Sequence, residues 1–245
     1  MTLAHRGHSA TIPEQTMAAF REAIAVGADA IEADVHLTRD GHLVMLHDEL
    51  VDRTTDGHGP VVEMSLDEVR ALDAGSWFDA GFRGAGVPTL EELLDLADAR
   101  GTILCLEAKG ADHAQNLAVA LAVAHRLAAR QLLGTHVLSS FDHDALTAAA
   151  ARHPGLILAP DRLPERGQMA DQAVIDQVRG IGAPIVQIHH EELSLDLVGA
   201  LHDADIAIWA WPTTDAPDIE RARRLGVDGL MGDDVPELVA AAQRG

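Results

Sequence analysis

The chain has a single cysteine, Cys105, in 245 residues. An internal disulfide framework is therefore excluded, and the usage fits a reducing, cytoplasmic compartment. Although 47% of the residues are hydrophobic, no apolar run is long enough to cross a bilayer, so no membrane insertion is expected. The N-terminus has no charged leader followed by an apolar stretch, so no signal peptide is expected. Positive charge is scarce: Lys and Arg total 18 against 39 Asp and Glu, a formal net charge of −21. That balance argues against nucleic-acid partners and against docking on anionic lipid. It also means that an anionic substrate needs a local cluster of metal, Arg or Lys to hold it. No internal repeat or low-complexity tract is present. No Gly-rich dinucleotide fingerprint follows the first apolar run.

What is present is a regular alternation. The chain is long enough for one barrel-type domain or two smaller ones. Residues 2–4 read as a short strand ending in His5-Arg6-Gly7-His8. Thr11, Pro13 and Glu14 form a Thr-x-x-Glu pattern that predicts a helix running to about Ala25 and stopping at Gly27. Ala30–Val35 and Leu43–Leu46 are apolar runs on either side of an Asp40-Gly41 turn signal. The second run is expected to return as a parallel strand. The link between them is too short for a helix, a gap in an otherwise regular pattern.

Residues 50–86 read as an insertion of short elements over one end of the main domain, without a core of its own. Ser65 with Glu68 marks a short helix, and Trp77, Phe78 and Phe82 are expected to pack the segment down. From Pro88 onward helices and strands alternate to the end. Thr89 caps the first of these helices with Glu92 three residues on. Such alternation means parallel strands joined by helical crossovers, and at this length the closed form is a (β/α)8 TIM-type barrel. Nine candidate strands are present, so one lies outside the ring. The expectation places it between residues 156 and 211, where helix 170–179 also falls.

In such a barrel reactive groups gather at the C-terminal strand ends. Glu32 and Asp34 are two apart and share a strand face, with Ile31, Ala33 and Val35 on the packing face. Glu107 and Lys109 repeat this spacing on a later strand. Glu32, Asp34 and Glu107 would form an oxygen-only site, the ligand set of one hard divalent cation, Mg²⁺ or Ca²⁺. His5 and His47 suit a general acid and a general base, because imidazole as a side-chain type titrates near neutral pH. Arg6 and Lys109 supply donors and positive charge for a phosphate. Together these parts describe metal-assisted phosphoester hydrolysis.

Other residues have plainer readings. Trp211 is assigned to the substrate pocket. Cys105 is expected to fill the barrel interior. His8, His42, His58 and His113 are placed in loops or on the surface, and His189-His190 in a loop or beside the substrate. Asp233-Asp234 is expected to cap the last helix.

His5-Arg6-Gly7, Pro13-Glu14, Glu32-x-Asp34-Val35, Thr38-x-Asp40-Gly41, His47-Asp48, Arg53-Thr54-Thr55, Pro88-Thr89-Leu90 and Glu107-x-Lys109 stand in series. This series, with Gly226-Val227-Asp228-Gly229 near the end, resembles the motifs of the glycerophosphodiester phosphodiesterases. The resemblance implies a barrel with an insertion after the third strand. It also implies divalent-metal ligation by Glu32, Asp34 and Glu107, acid/base work by His5 and His47, and phosphate contact by Arg6 and Lys109. The implied reaction releases sn-glycerol 3-phosphate and an alcohol from a small-molecule glycerophosphodiester.

Three departures stand out. Gln15 replaces the usual Asn, Trp211-Pro212-Thr213-Thr214 replaces Trp-Thr-Val-Asn, and Gly232-Asp233-Asp234-Val235-Pro236 stands where Thr-Asp-x-Pro is usual. All three are expected to lie outside the metal and histidine set and to bear on substrate preference. Two other readings compete: a phospholipase-D-like phosphodiesterase acting on a larger lipid head group, and a non-catalytic barrel binding a phosphorylated ligand. The oligomeric state stays open.

Overall fold

The first strand, β1 (Thr2–His5), uses both of its edges. It pairs in parallel with β2 (Ala30–Leu37) on one side and β9 (Gly229–Gly232) on the other. The ring between them is filled by β4 (Ile103–Ala108), β5 (Val137–Ser140), β6 (Ile157–Arg162), β7 (Ile185–His189) and β8 (Ala207–Trp211). Order around the sheet is β1-β9-β8-β7-β6-β5-β4-β2, and β1–β2 pairing closes it. The protein is therefore a closed barrel of eight parallel strands, as the alternation predicts. The structure, a computed structural model, describes residues 1–162 and 171–244.

The ninth strand is not between 156 and 211. It is β3 (Leu43–Met45), which lies outside the ring and runs antiparallel to β2. The expected parallel return after Asp40-Gly41 is thus replaced by a hairpin. Thr38 N–H donates to His42 O, and Gly41 N–H donates to Thr38 O. These bonds close a turn far too tight for a parallel crossover. β2 is the longest strand, and the hairpin folds back along its C-terminal end, pairing Val35 with Met45. Residues after Met45 therefore descend toward the level of Asp34: Leu46 N–H donates to Asp34 O.

Helices pack around the ring. They are α1 (Met17–Ala25), α3 (Leu90–Arg100), α4 (His113–Ala129), α5 (His143–Arg152), α6 (Asp171–Ile181), α7 (Leu195–Asp203), α8 (Ala216–Leu225) and α9 (Val235–Gln243), with the short α2 (Leu66–Arg70) in the insertion. The α2 and α3 capping boxes, Ser65 with Glu68 and Thr89 with Glu92, are both formed. The Thr11 box is not. The first helix starts later, with Thr16 accepting from Ala19 N–H as its cap. Gln15 holds a left-handed φ of 56°, which is incompatible with a right-handed helix through that residue. Helix α6 begins at Asp171, and Ala170 lies outside the described residues.

Between sheet and helices lies the main core, which includes Ile31, Ala33, Val35, Leu104, Leu106 and Phe20, all fully buried. Each such side chain contributes roughly 1.5–3 kcal/mol relative to exposure, less for alanine. The barrel interior holds a second cluster with Leu3, Cys105, Ala159, Trp209 and Met231, so Cys105 is the interior filler expected. Burial pushes its thiol well above the ordinary range. A third cluster differs from expectation. Val51, Val61, Val69 and Ala74 of the insertion join Val44 and Leu46 around β3 in a small core of their own. Phe78 makes edge-to-face contacts with both Trp77 and Phe82, while Trp77 and Phe78 stay partly exposed. Among the described residues, no helix is long and apolar enough to cross a membrane.

Candidate active site

Alternation on β2 and β4 turns Glu32, Asp34 and Glu107 inward. Parallel register sets His5 beside Glu32 and Asp34 beside Glu107. The three carboxylates are buried, and each offers an oxygen within 4.8 Å of the other two. Their environments differ. Burial, with Asp34 and Glu107 nearby, pushes the Glu32 carboxyl well above the usual range. Burial pushes Glu107 up to about 8 against the pull of Lys109. Burial also raises Asp34, but Lys109 and Arg6 outweigh it and hold that carboxyl well below the usual range.

Lys109, the sole lysine of the chain, reaches Glu107 Oε1 at 2.8 Å and Asp34 Oδ1 at 3.3 Å. Arg6 follows β1 with a left-handed φ of 58°. Its N–H donates to Glu32 Oε2, its Nη1 to Glu14, and its Nε sits 3.3 Å from Asp34 Oδ2. Three buried carboxylates thus face two fixed cations. A hard divalent cation fits this donor set: all-oxygen, closely spaced, and carrying more negative charge than the protein neutralises.

Each histidine carries a carboxylate on Nδ1. His5 Nδ1 lies 2.7 Å from Asp233 Oδ1, and His47 Nδ1 lies 2.6 Å from Asp48 Oδ1. Such a partner fixes the ring and leaves Nε2 for a ligand. Burial, opposed by the Asp34 charge, lowers the His47 pKa below its ordinary value. Asp48 is in turn clamped by Arg53, whose hydrogen bond draws its carboxyl down to about 2. The other side of the Arg53 fork holds both oxygens of Glu14 at 2.9 and 2.8 Å. Arg53 therefore ties the His47–Asp48 pair to the Glu14–Arg6 pair.

Several residues take roles the sequence did not reveal. Gln15 Nε2 donates to Asp34 Oδ2 at 2.7 Å. Asp233 is the partner of His5, and only Asp234 caps α9, accepting from Glu237 N–H. Two of the three motif departures therefore touch the carboxylate and histidine set directly instead of lying outside it. Glu14 caps no helix but receives both arginines. His8 lies in the loop after β1, as expected, but is buried there; its Nδ1 lies near Asp233 O and Val235 N. His42, His58 and His113 are exposed as expected. The signal for Gln15 and Asp233 was their place inside quoted motifs; nothing local indicated their contacts.

These residues line a cavity of about 230 Å³, bounded by His5, Arg6, Glu32, His47, Glu107 and Lys109 together with Trp211. A wider cleft of about 500 Å³ adjoins it, sharing His47, Glu107, Lys109 and Phe141. Trp211 packs edge-on against Phe141 and His189. His190 begins the turn after β7.

A parallel (β/α)8 barrel with clustered carboxylates and two histidine–carboxylate pairs at its C-terminal face defines a class: barrel proteins that gather buried acids, histidines and cationic side chains in one strand-end cavity. Comparison narrows the class. Residues 5–237 match the profile of the glycerophosphoryl diester phosphodiesterase family, and the chain belongs to that family. A glycerophosphodiester phosphodiesterase of Caldanaerobacter subterraneus is 32% identical, over 100% of this chain and 98% of its own. One from Bacillus subtilis is 30% identical, covering 100% of this chain and 87% of its own. A phosphodiesterase of Oleispira antarctica, solved in complex with its product sn-glycerol-3-phosphate, superposes with a TM-score of 0.88. It is 27% identical, over 99% of this chain and 96% of its own.

Proposed function

We propose that this protein hydrolyses glycerophosphodiesters to sn-glycerol 3-phosphate and an alcohol, using His5 and His47 as the acid/base pair and one divalent cation, Mg²⁺ or Ca²⁺. The observation that carries the proposal is the buried carboxylate triad, with oxygens within 4.8 Å, beside two imidazoles each braced by an aspartate. Family membership and the product complex of the Oleispira relative support the substrate class.

Glu32, Asp34 and Glu107 would hold the cation. When bound, it supplies Lewis-acid polarisation of a phosphate oxygen and offsets charge on the reacting group. The remaining chemistry belongs to the chain. Arg6 and Lys109 present N–H donors to the phosphate from opposite sides of Asp34, which offsets the long-range repulsion of an acidic protein. One imidazole takes the proton from the attacking oxygen through Nε2. The other returns a proton to the leaving alcohol. Asp48 and Asp233 keep both rings oriented and stabilise each as it becomes cationic. Trp211 walls the cavity and excludes water from one side.

Chelation by EDTA followed by metal readdition tests the reading, with release of glycerol 3-phosphate as the readout. Loss of activity and its recovery with Mg²⁺ or Ca²⁺ are expected. Full activity in chelator would sink the three-carboxylate site. Parallel assays on choline, ethanolamine, inositol and glycerol diesters set the alcohol preference.

A further inference from the structure

Three polar atoms in the catalytic cavity have no use in the scheme above. Ser139 Oγ on β5, Asp161 Oδ2 on β6 and Trp211 Nε1 on β8 are buried, and among the described residues none meets a partner at good hydrogen-bond geometry, although Ser139 Oγ lies near enough to the Asp161 carboxyl to interact with it loosely. Ser139 and Asp161 are 1% and 6% exposed. All three residues line the same 230 Å³ cavity as His5 and His47. The neighbouring Gln187 is engaged elsewhere, its Nε2 directed to Ala159 O and Cys105 Sγ. A buried polar atom left unpaired costs about 1–3 kcal/mol, so a partnerless indole N–H and a loosely paired Ser139–Asp161 couple lining one cavity mark a place where a ligand completes the partners.

Their chemistry restricts that ligand. The indole N–H only donates, so it selects an acceptor and disfavours an ammonium. The Asp161 carboxyl disfavours a phosphate. Ser139 does both, donating and accepting. A neutral hydroxyl satisfies all three. Resting on the reaction proposed above, we infer that Ser139, Asp161 and Trp211 read the free hydroxyls of the substrate's glycerol unit. The division of space agrees. The small enclosed cavity takes the invariant glycerol. The wider 500 Å³ cleft beyond Lys109 takes the alcohol, which varies.

The test compares sn-glycero-3-phosphocholine with its analogue lacking the terminal glycerol hydroxyl, using kcat/KM of the wild type, Ser139→Ala, Asp161→Leu and Asp161→Asn. The wild type is expected to lose at least about 100-fold on the analogue, since polar sites reject ligands that leave them unpaired. Ser139→Ala and Asp161→Leu are expected to lose about 10- to 100-fold on the full substrate and under about 3-fold on the analogue. Asp161→Asn, which keeps a donor and an acceptor, is expected to retain most activity on both. Equal losses on the two substrates, or a wild type indifferent to the missing hydroxyl, overturn the inference. Turnover of neither substrate by the wild type overturns the proposed reaction and this inference with it.

Discussion

The two histidine–carboxylate pairs have nearly the same length, 2.7 and 2.6 Å, yet they are assembled in opposite ways. His47 and Asp48 are adjacent in sequence, and a hairpin places them as a unit. His5 and Asp233 lie 228 residues apart and meet only because β1 and β9 are neighbours in the closed ring. The supports differ as well. Asp48 is held by Arg53, a residue of the inserted segment. Asp233 is held by Ser9 and by the packing of the first loop on α1. The same chemical device can thus be built from local contacts plus a surface clamp, or from barrel closure plus the first loop. The first kind depends on its clamp and the second on global folding.

The largest effect is expected where the pairs are equivalent. His5→Ala and His47→Ala should each lower kcat by about 10²- to 10⁴-fold, the usual worth of general acid/base catalysis. Cation affinity, measured by titration calorimetry, should change little. Retained turnover in either variant would remove that histidine from the scheme and make the comparison one-sided.

The turns that support the two pairs should separate next, by thermal or denaturant unfolding. Gly7 holds φ 85° after Arg6, and a Cβ there would come within 2.7 Å of the Ala19 backbone. Gly41 holds φ 83° in the hairpin, with nothing within 4 Å. Gly7→Ala should therefore cost about 3 kcal/mol or more, and Gly41→Ala only about 1 kcal/mol, the left-handed penalty alone. Equal costs would mean that the first loop yields as freely as the hairpin.

The smallest effect belongs to the clamp. The Arg53 side chain is 44% exposed, so screening limits its worth. Arg53→Ala is expected to lower kcat about 10-fold, roughly 1.4 kcal/mol of barrier. Arg53→Lys should recover only part, because it keeps the charge and loses the planar fork. A kcat unchanged by Arg53→Ala would show that His47 needs only Asp48.

Much of this was written in local pattern. Strand–helix alternation announced the barrel, and a spacing of two placed Glu32 with Asp34 and Glu107 with Lys109 on inward faces. These readings work because side-chain alternation is a property of any strand, independent of where it lies. The reading faltered where the outcome depended on pairing between distant segments. The residues around Asp40-Gly41 suit a hairpin and a parallel return alike, because a strand's direction is set by its partner, not by its residues. Thr11 with Glu14 matched a capping box, yet Glu14 is drawn away by two arginines, one of them 39 residues distant.

The sequence by itself determined the elements, the inward faces and the chemical inventory: three carboxylates, two histidines, one lysine, one arginine. Tertiary structure alone decided which aspartate serves His5, that Gln15 sits on Asp34, and that Ser139, Asp161 and Trp211 line one cavity. The physical reason is that alternation and capping act over a few residues, whereas closing a ring brings together strand ends from all along the chain.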